Sequence, residues 1–541
     1  MRKPIRFTWL TIVAAALLCS LLSLAPPAGA ATHLGVHEGG TANLDFSDDP
    51  ATLDPALAAD GYSITILHVL FITLLTNKPG TAQLIPWGAT AMPVASNGGK
   101  TYIVHLRPGM KFTDGEPTDA ASFKYSIERL LVPATKSPYS SVVTGLVGAN
   151  DFAAGKAKTV AGIKVLNPLT LEFDLTTPDN AFLYDLTYTA LAAVPQNVVQ
   201  REGARFAHAP VGNGQYILQN WSPGVQLTLV KNPGYFDAAT AGHLDKLLLH
   251  TDVPSNLAVL QVEQGSADIS AGDVNGGDGI PLALFLGIKN NPRWQPYLYH
   301  TTMPETWFFV LSIGDKPYQN LKVREAVSYA INRQKIVQLL NGRGILASQI
   351  MPPGMPGYDP SIPQQAYNPA KARALLAQAG FPHGFSTSIM MFSTPPGPQE
   401  ATSIQYDLAQ VGIKADVHIV SLAQYSTTAS TPGGAPTQIN DWQTIVPSLF
   451  LNWTWNSNEI QAGNNMAEFS DHRVDALLNQ AEQLPIAQAV PLWKQAQRLA
   501  LSQYGYVPLY YAVEYDFVNP RIGGFQVDPN FIYEYQQWYL K

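Results

Sequence analysis

The chain has 541 residues, room for two or three domains, and its 46% apolar and 13% charged residues exclude a disordered polymer. A formal net charge of −7 argues against a nucleic-acid partner, whose phosphates call for Lys and Arg. One cysteine excludes a disulfide framework within the chain.

The chain opens as an export signal over residues 1–30. Arg2, Lys3 and Arg6 precede an apolar stretch from Phe7 to Leu24, and Ala28-Gly29-Ala30 forms a small-residue cleavage site. Eighteen residues is the lower limit for a membrane span, but Pro26-Pro27 and the cleavage site point to removal. Cys19 follows Leu18, whereas lipidation calls for a small residue there. The expected product has no cysteine, and losing the three basic residues takes its net charge from −7 to −10. It is expected to be exported, periplasmic or otherwise extracytoplasmic, and soluble.

Thr52-Leu53-Asp54-Pro55-Ala56 comes next, then Tyr62-Ser63-Ile64 and a helix-like apolar run to Leu75. Thr101 to Arg107 alternates apolar and polar residues, as a half-buried strand does. Arg107-Pro108-Gly109 breaks it. Thr118 or Asp119 can then cap a helix whose apolar side includes Phe123, Ile127, Leu130 and Leu131.

With its spacings, this stretch resembles the signature of the family 5 extracellular solute-binding proteins of ABC importers, the dipeptide-, oligopeptide- and nickel-binding receptors. Pro93, Ala95-Ser96, Gly99, Tyr102, Leu106-Arg107, Gly109, Lys111-Phe112, Asp114-Gly115, Pro117, Ala121 and Tyr125-Ser126 hold the pattern, and Leu53-Asp54-Pro55 resembles its opening segment. Further on, Lys164 to Leu175 reads as a hairpin turned at Asn167-Pro168. Pro210-Val211-Gly212-Asn213-Gly214-Gln215-Tyr216 keeps both glycines of the family's "P.GTGPY", with Asn213 and Gln215 substituted. Such glycines serve a positive φ or a close backbone approach. Val323 to Arg333 reads as a helix with one apolar face, and Val411-Gly412-Ile413 opens a strand after a helix from about Gln399. Val507 to Tyr510 leads the last strands back.

The resemblance implies an α/β, bilobal periplasmic-binding-protein type II fold with an extra inserted domain. It implies a core lobe over 31–76, 206–305 and 511–541, an inserted domain over 77–205, and a second ligand-binding lobe over 306–510.

Enzyme motifs are missing: there is no G-x-S-x-G elbow, H-E-x-x-H helix or G-x-x-x-x-G-K-[ST] loop. Asp273-x-Asn275 with Gly276, Gly277 and Asp278 resembles part of a calcium loop, but Leu284 stands where a bidentate Glu is required, which favours a solvated turn. The eleven histidines show no ligand spacing. No metal, cofactor or catalysis is therefore expected.

Gln438 to Met466 resembles the family segment that lines the ligand cleft. Trp442, Pro447, Phe450-Leu451 and Asn452 hold its pattern, and Trp442, Trp453 and Trp455 lie within fourteen residues among Asn and Gln. That mixture suits stacking plus hydrogen bonding, though tryptophans equally serve as core. Two departures stand out. Peptide-binding members carry an Asp three residues after the Trp, for the α-amino group; Ile445 stands there. Dipeptide-binding members carry an Arg for the carboxylate near 393–398; here that stretch reads Ser393-Thr394-Pro395-Pro396-Gly397-Pro398. Asp441, where the family usually has Gly, could meet a cationic ligand group or lie exposed at a strand end. The expected ligand-binding residues are Tyr62, Asp441, Trp442, Asn452, Trp453, Trp455 and Asn465.

The function implied is capture of a peptide-like solute in an interlobe cleft by a monomer that delivers it to membrane permease subunits. An oligosaccharide, opine or other polar non-peptide solute is the alternative. A secreted hydrolase, and a receptor or chaperone outside transport, are the readings from other classes.

Overall fold

The computed structural model describes residues 36–271, 279–528 and 532–541. The export signal with Cys19 and the Asp273–Asp278 stretch lie outside them. One mixed sheet runs through the molecule. Five of its strands matter below: β1 (Thr41–Phe46), β2 (Leu298–Leu311), β3 (Ser386–Phe392), β4 (Thr437–Gln443) and β5 (Tyr506–Val518). From edge to edge the order is Lys414–Val420, β3, β4, β2, β5, Ile269–Ala271, β1, Lys246–His250, Gln226–Lys231 and Tyr216–Ser222, with Gly344–Leu346 added to β5. β1 is parallel to both its neighbours, β3 to Lys414–Val420 and β4, while β2 is antiparallel to β4 and β5.

β2 and β5 are 14 and 13 residues long, about 45 Å at a strand's rise, so each serves both lobes. Leu298–Thr302 pairs with Val513–Phe517, and Thr306–Val310 with Tyr506–Tyr511. Between the two halves the register shifts across Met303–Glu305. Pro304 falls inside that shift, where the missing N–H breaks no regular ladder.

Three bodies of core follow. Leu44, Phe46, Leu247, Leu249, Phe525 and Trp538 belong to the first lobe's cluster. A separate four-stranded sheet, in the order Ala95–Ser96, Thr101–His105, Thr170–Asp174 and Ile163–Asn167, has its own apolar cluster. A helix over Ala120–Leu131 covers it with Phe123, Ile127, Leu130 and Leu131, and Asp119 caps that helix by accepting from the Ser122 amide at 2.9 Å. In the second lobe β2 and β4 are clothed on both faces: Phe309, Leu311 and Ile439 pack into one cluster, Phe308 and Val310 into the other. Ile445 and Val446 of the second lobe meet Tyr184 of the four-stranded unit, and Asn180 Nδ2 donates across the same contact to the carbonyls of Ala481 (2.9 Å) and Leu484 (3.1 Å).

The paired glycines owe their place to close approach. Helix α1 (Gly61–Leu70) ends against the 211–216 loop, and its orphan Leu70 carbonyl accepts from the amides of Asn213 (3.0 Å) and Gly214 (2.9 Å). A Cβ on Gly212 would stand 2.0 Å from Leu70 O, and one on Gly214 2.2 Å from Val69 O. Asn213, a departure from the family pattern, fits the same junction: its Oδ1 accepts from the Ile72 amide at 2.8 Å and its Nδ2 donates to Thr118 Oγ1 at 3.2 Å. Gly214→Ala is therefore expected to cost about 3 kcal/mol of stability to urea. Gly287→Ala, in an exposed helix with nothing within 4 Å of the added Cβ, should gain up to about 1 kcal/mol.

Candidate functional site

β3 and β4 are parallel and share the register pair Met390–Gln438, after which they part. A cavity of about 540 Å³ opens at their C-terminal ends, where open α/β sheets place their ligands. Phe392 enters it from β3, Asn440, Asp441 and Trp442 from β4, and Trp453 from helix α2 (Pro447–Trp455). The two-residue period of a strand sends Asp441 and Trp442 to opposite faces of β4, so they reach the opening from different sides.

Trp442 and Trp453 form the aromatic wall, with ring centroids 5.2 Å apart and planes at 53°. The Trp442 Nε1 is buried without a hydrogen-bond partner. Tyr425 meets Phe392 edge-on at 5.2 Å and is fixed by its hydroxyl, which donates to Ile439 O at 2.5 Å. Asn440 is held against Met466. Together these groups offer flat apolar surface beside a few polar atoms.

Asp441 is half-buried and lies opposite Trp307 of β2 in the strand register. Burial pushes its carboxyl up to about 6. Trp307 stacks on Tyr510 of β5, centroids 5.7 Å apart and planes at 11°, and the Tyr510 hydroxyl donates to Glu400 Oε1 at 2.8 Å. Glu400, from the helix Gly397–Ala409, is fully buried and its other oxygen has no partner. Desolvation raises its pKa to about 7; the Tyr510 hydrogen bond works against that and the nearby Asp441 charge adds to it.

The other expected residues lie elsewhere. Trp455 is 1% exposed, in the second lobe's core with Phe450 and Trp493. Asn452, on the same helix, is buried and its Oδ1 accepts from Asn456 Nδ2 at 3.2 Å. Asn465 is buried with its amide spent on the Asn456 and Phe469 carbonyls. Tyr62 is buried against Phe46 in the first lobe and shares a 2.6 Å hydrogen bond with Ser47. Asp441, Trp442 and Trp453 are thus the expected residues that the cavity brings together. Ile445 is 2% exposed in the contact with Tyr184, so an apolar junction occupies the place of the acid that peptide-binding members carry. Phe392 and Tyr425 line the cavity, and Glu400, Trp307 and Tyr510 form a connected group beside Phe392 and Asp441, with no spacing in the sequence that assigns any of them to the site.

Residues 83–462 match the family model described as "Bacterial extracellular solute-binding proteins, family 5 Middle". The chain belongs to this family and is a solute-binding protein. Among its relatives is the glutathione-binding protein GsiB of Salmonella paratyphi A, 27% identical over 497 residues, 88% of this chain and 90% of that one. In fold it is similar to HbpA2 from Haemophilus parasuis, with a TM-score of 0.81, 22% identity and coverage of 93% of this chain and 100% of that one. It is also similar to DppA from Helicobacter pylori in complex with the peptide STSA, with a TM-score of 0.69, 23% identity and coverage of 93% and 98%. These likenesses carry the bilobal α/β fold. No helix among the described residues is long and apolar enough to cross a membrane.

The raised carboxyls have a measurable consequence. Between pH 4.5 and about 7 folded Glu400 keeps a proton that the unfolded chain has given up, so stability falls as pH rises through that window. Relative to Glu400→Gln, the natural protein should lose on the order of 2 kcal/mol of urea stability between pH 4.5 and 7.5.

Proposed function

We propose that this protein is the exported binding component of an ABC importer, taking a peptide-like solute at the β3–β4 cavity and handing it to permease subunits in the membrane. The observation that carries the reading is the cavity itself: an aromatic pair and a half-buried carboxylate converge at the C-terminal ends of two parting strands. The family supports it, as do a relative named for glutathione and a structural neighbour holding a peptide. The protein acts by binding and release, as a monomer, with no catalytic step, metal or cofactor.

The division of the chain belongs to the same proposal. The second lobe covers 306–510, beginning just past the register shift in β2. The inserted domain covers 77–205, and its own apolar cluster, with Phe123, Leu171 and Phe173, supports a separate unit there. The cavity's lining lies between Phe392 and Met466, in the second lobe, and a solute that also met the first lobe would favour the form in which the two close on it.

A titration of intrinsic tryptophan fluorescence with a tetrapeptide pool tests the reading. A saturable change with a micromolar midpoint, about −8 kcal/mol, is expected, and Trp453→Ala should weaken it at least about tenfold, the loss of one stacked ring. No saturable change, or an unaltered midpoint in Trp453→Ala, would overturn it.

A further inference from the structure

The carboxyls gathered around Asp441 make its surroundings acidic. Three carboxyls gather round one Trp–Tyr stack: Glu400 accepts from the Tyr510 hydroxyl at 2.8 Å, Glu305 accepts from Trp307 Nε1, and Asp441 lies across the strand pair from Trp307. Glu400 is 0% exposed, and its second oxygen has no hydrogen-bond partner. Among the described residues neither Glu400 nor Asp441 is paired with Lys, Arg or His. Residues 393–398, which follow the cavity-lining Phe392, contain no cationic side chain.

We propose that this cavity selects solutes that carry a positive charge, an ammonium group set on Asp441 with an apolar body against Trp442 and Trp453, and rejects a free carboxylate at the same place. The inference rests on the cavity's being the solute site. An ammonium group placed there offsets the unpaired charge of Asp441 and gains from the indole faces. A carboxylate brought beside Asp441 meets like charge in a poorly solvated place, and no Lys, Arg or His is among the residues that line the cavity. The loop after β3 is where the family resemblance calls for a carboxylate-binding arginine. Here the nearest buried ionisable group in the helix that follows is an acid, so the charge preference of that end is inverted.

The test is retention of four tetrapeptide pools by the immobilised protein: both ends free, C-terminally amidated, N-terminally acetylated, and capped at both ends, with 2-phenylethylamine as a non-peptide cation. The amidated pool should be held best and the acetylated pool at least about tenfold less. Asp441→Asn, a half-exposed isosteric change, should erase the difference between amine-bearing and acetylated pools. Retention of 2-phenylethylamine without any peptide pool would support charge selection and move the solute outside peptides. Equal retention of acetylated and free-amine pools, or retention that requires a free C-terminal carboxylate, would overturn the inference and leave the cavity as the solute site. Retention of none of these probes would overturn both.

Discussion

β2 and β5 have to serve two lobes at once, and that requirement shapes most of what surrounds them. Each strand packs against one core in its first half and another in its second, so the sheet cannot keep a single register along its length. The shift across Met303–Glu305 absorbs the mismatch. It also places Trp307 and Tyr510, the stacked pair behind the cavity, just on the second-lobe side of the break. The cavity is then a product of sheet geometry: β4 is held in register by β2 along its whole length, while β3 leaves it after one shared pair.

Much of the fold was legible in the sequence because its signals are local. The capped helix after Asp119, the hairpin at Asn167-Pro168 and the glycines at 212 and 214 each need only a few neighbouring residues to specify them. The glycines illustrate what local reading leaves open, since a positive φ and a close approach look alike in sequence. Here neither glycine has a positive φ, and the Val69 and Leu70 carbonyls are the reason.

The site was legible only in part. Trp453 and Trp455 have the same chemistry, but at about 100° per residue they lie roughly 200° apart on their helix, so one faces the cavity and the other the core. Asp441 and Trp442 divide in the same way across a strand. Glu400 gave no signal. It lies 41 residues before Asp441, inside an amphipathic helix, and its role follows from Tyr510, which is 110 residues from Glu400 along the chain. Ile445 shows the converse: its departure from the family pattern was plain, but the contact with Tyr184 that occupies its place is tertiary.

A solute seated at the end of β4 must shield the backbone around it, and amide hydrogen exchange with and without a saturating C-terminally amidated tetrapeptide pool reads that shielding residue by residue. Slower exchange is expected for the amides of 440–443 and of 462–466, the two stretches that border the cavity through Asn440 to Gln443 and through Ala462, Gly463, Asn464 and Met466. Unchanged exchange in both segments, with protection confined to other parts of the chain, would place the solute elsewhere.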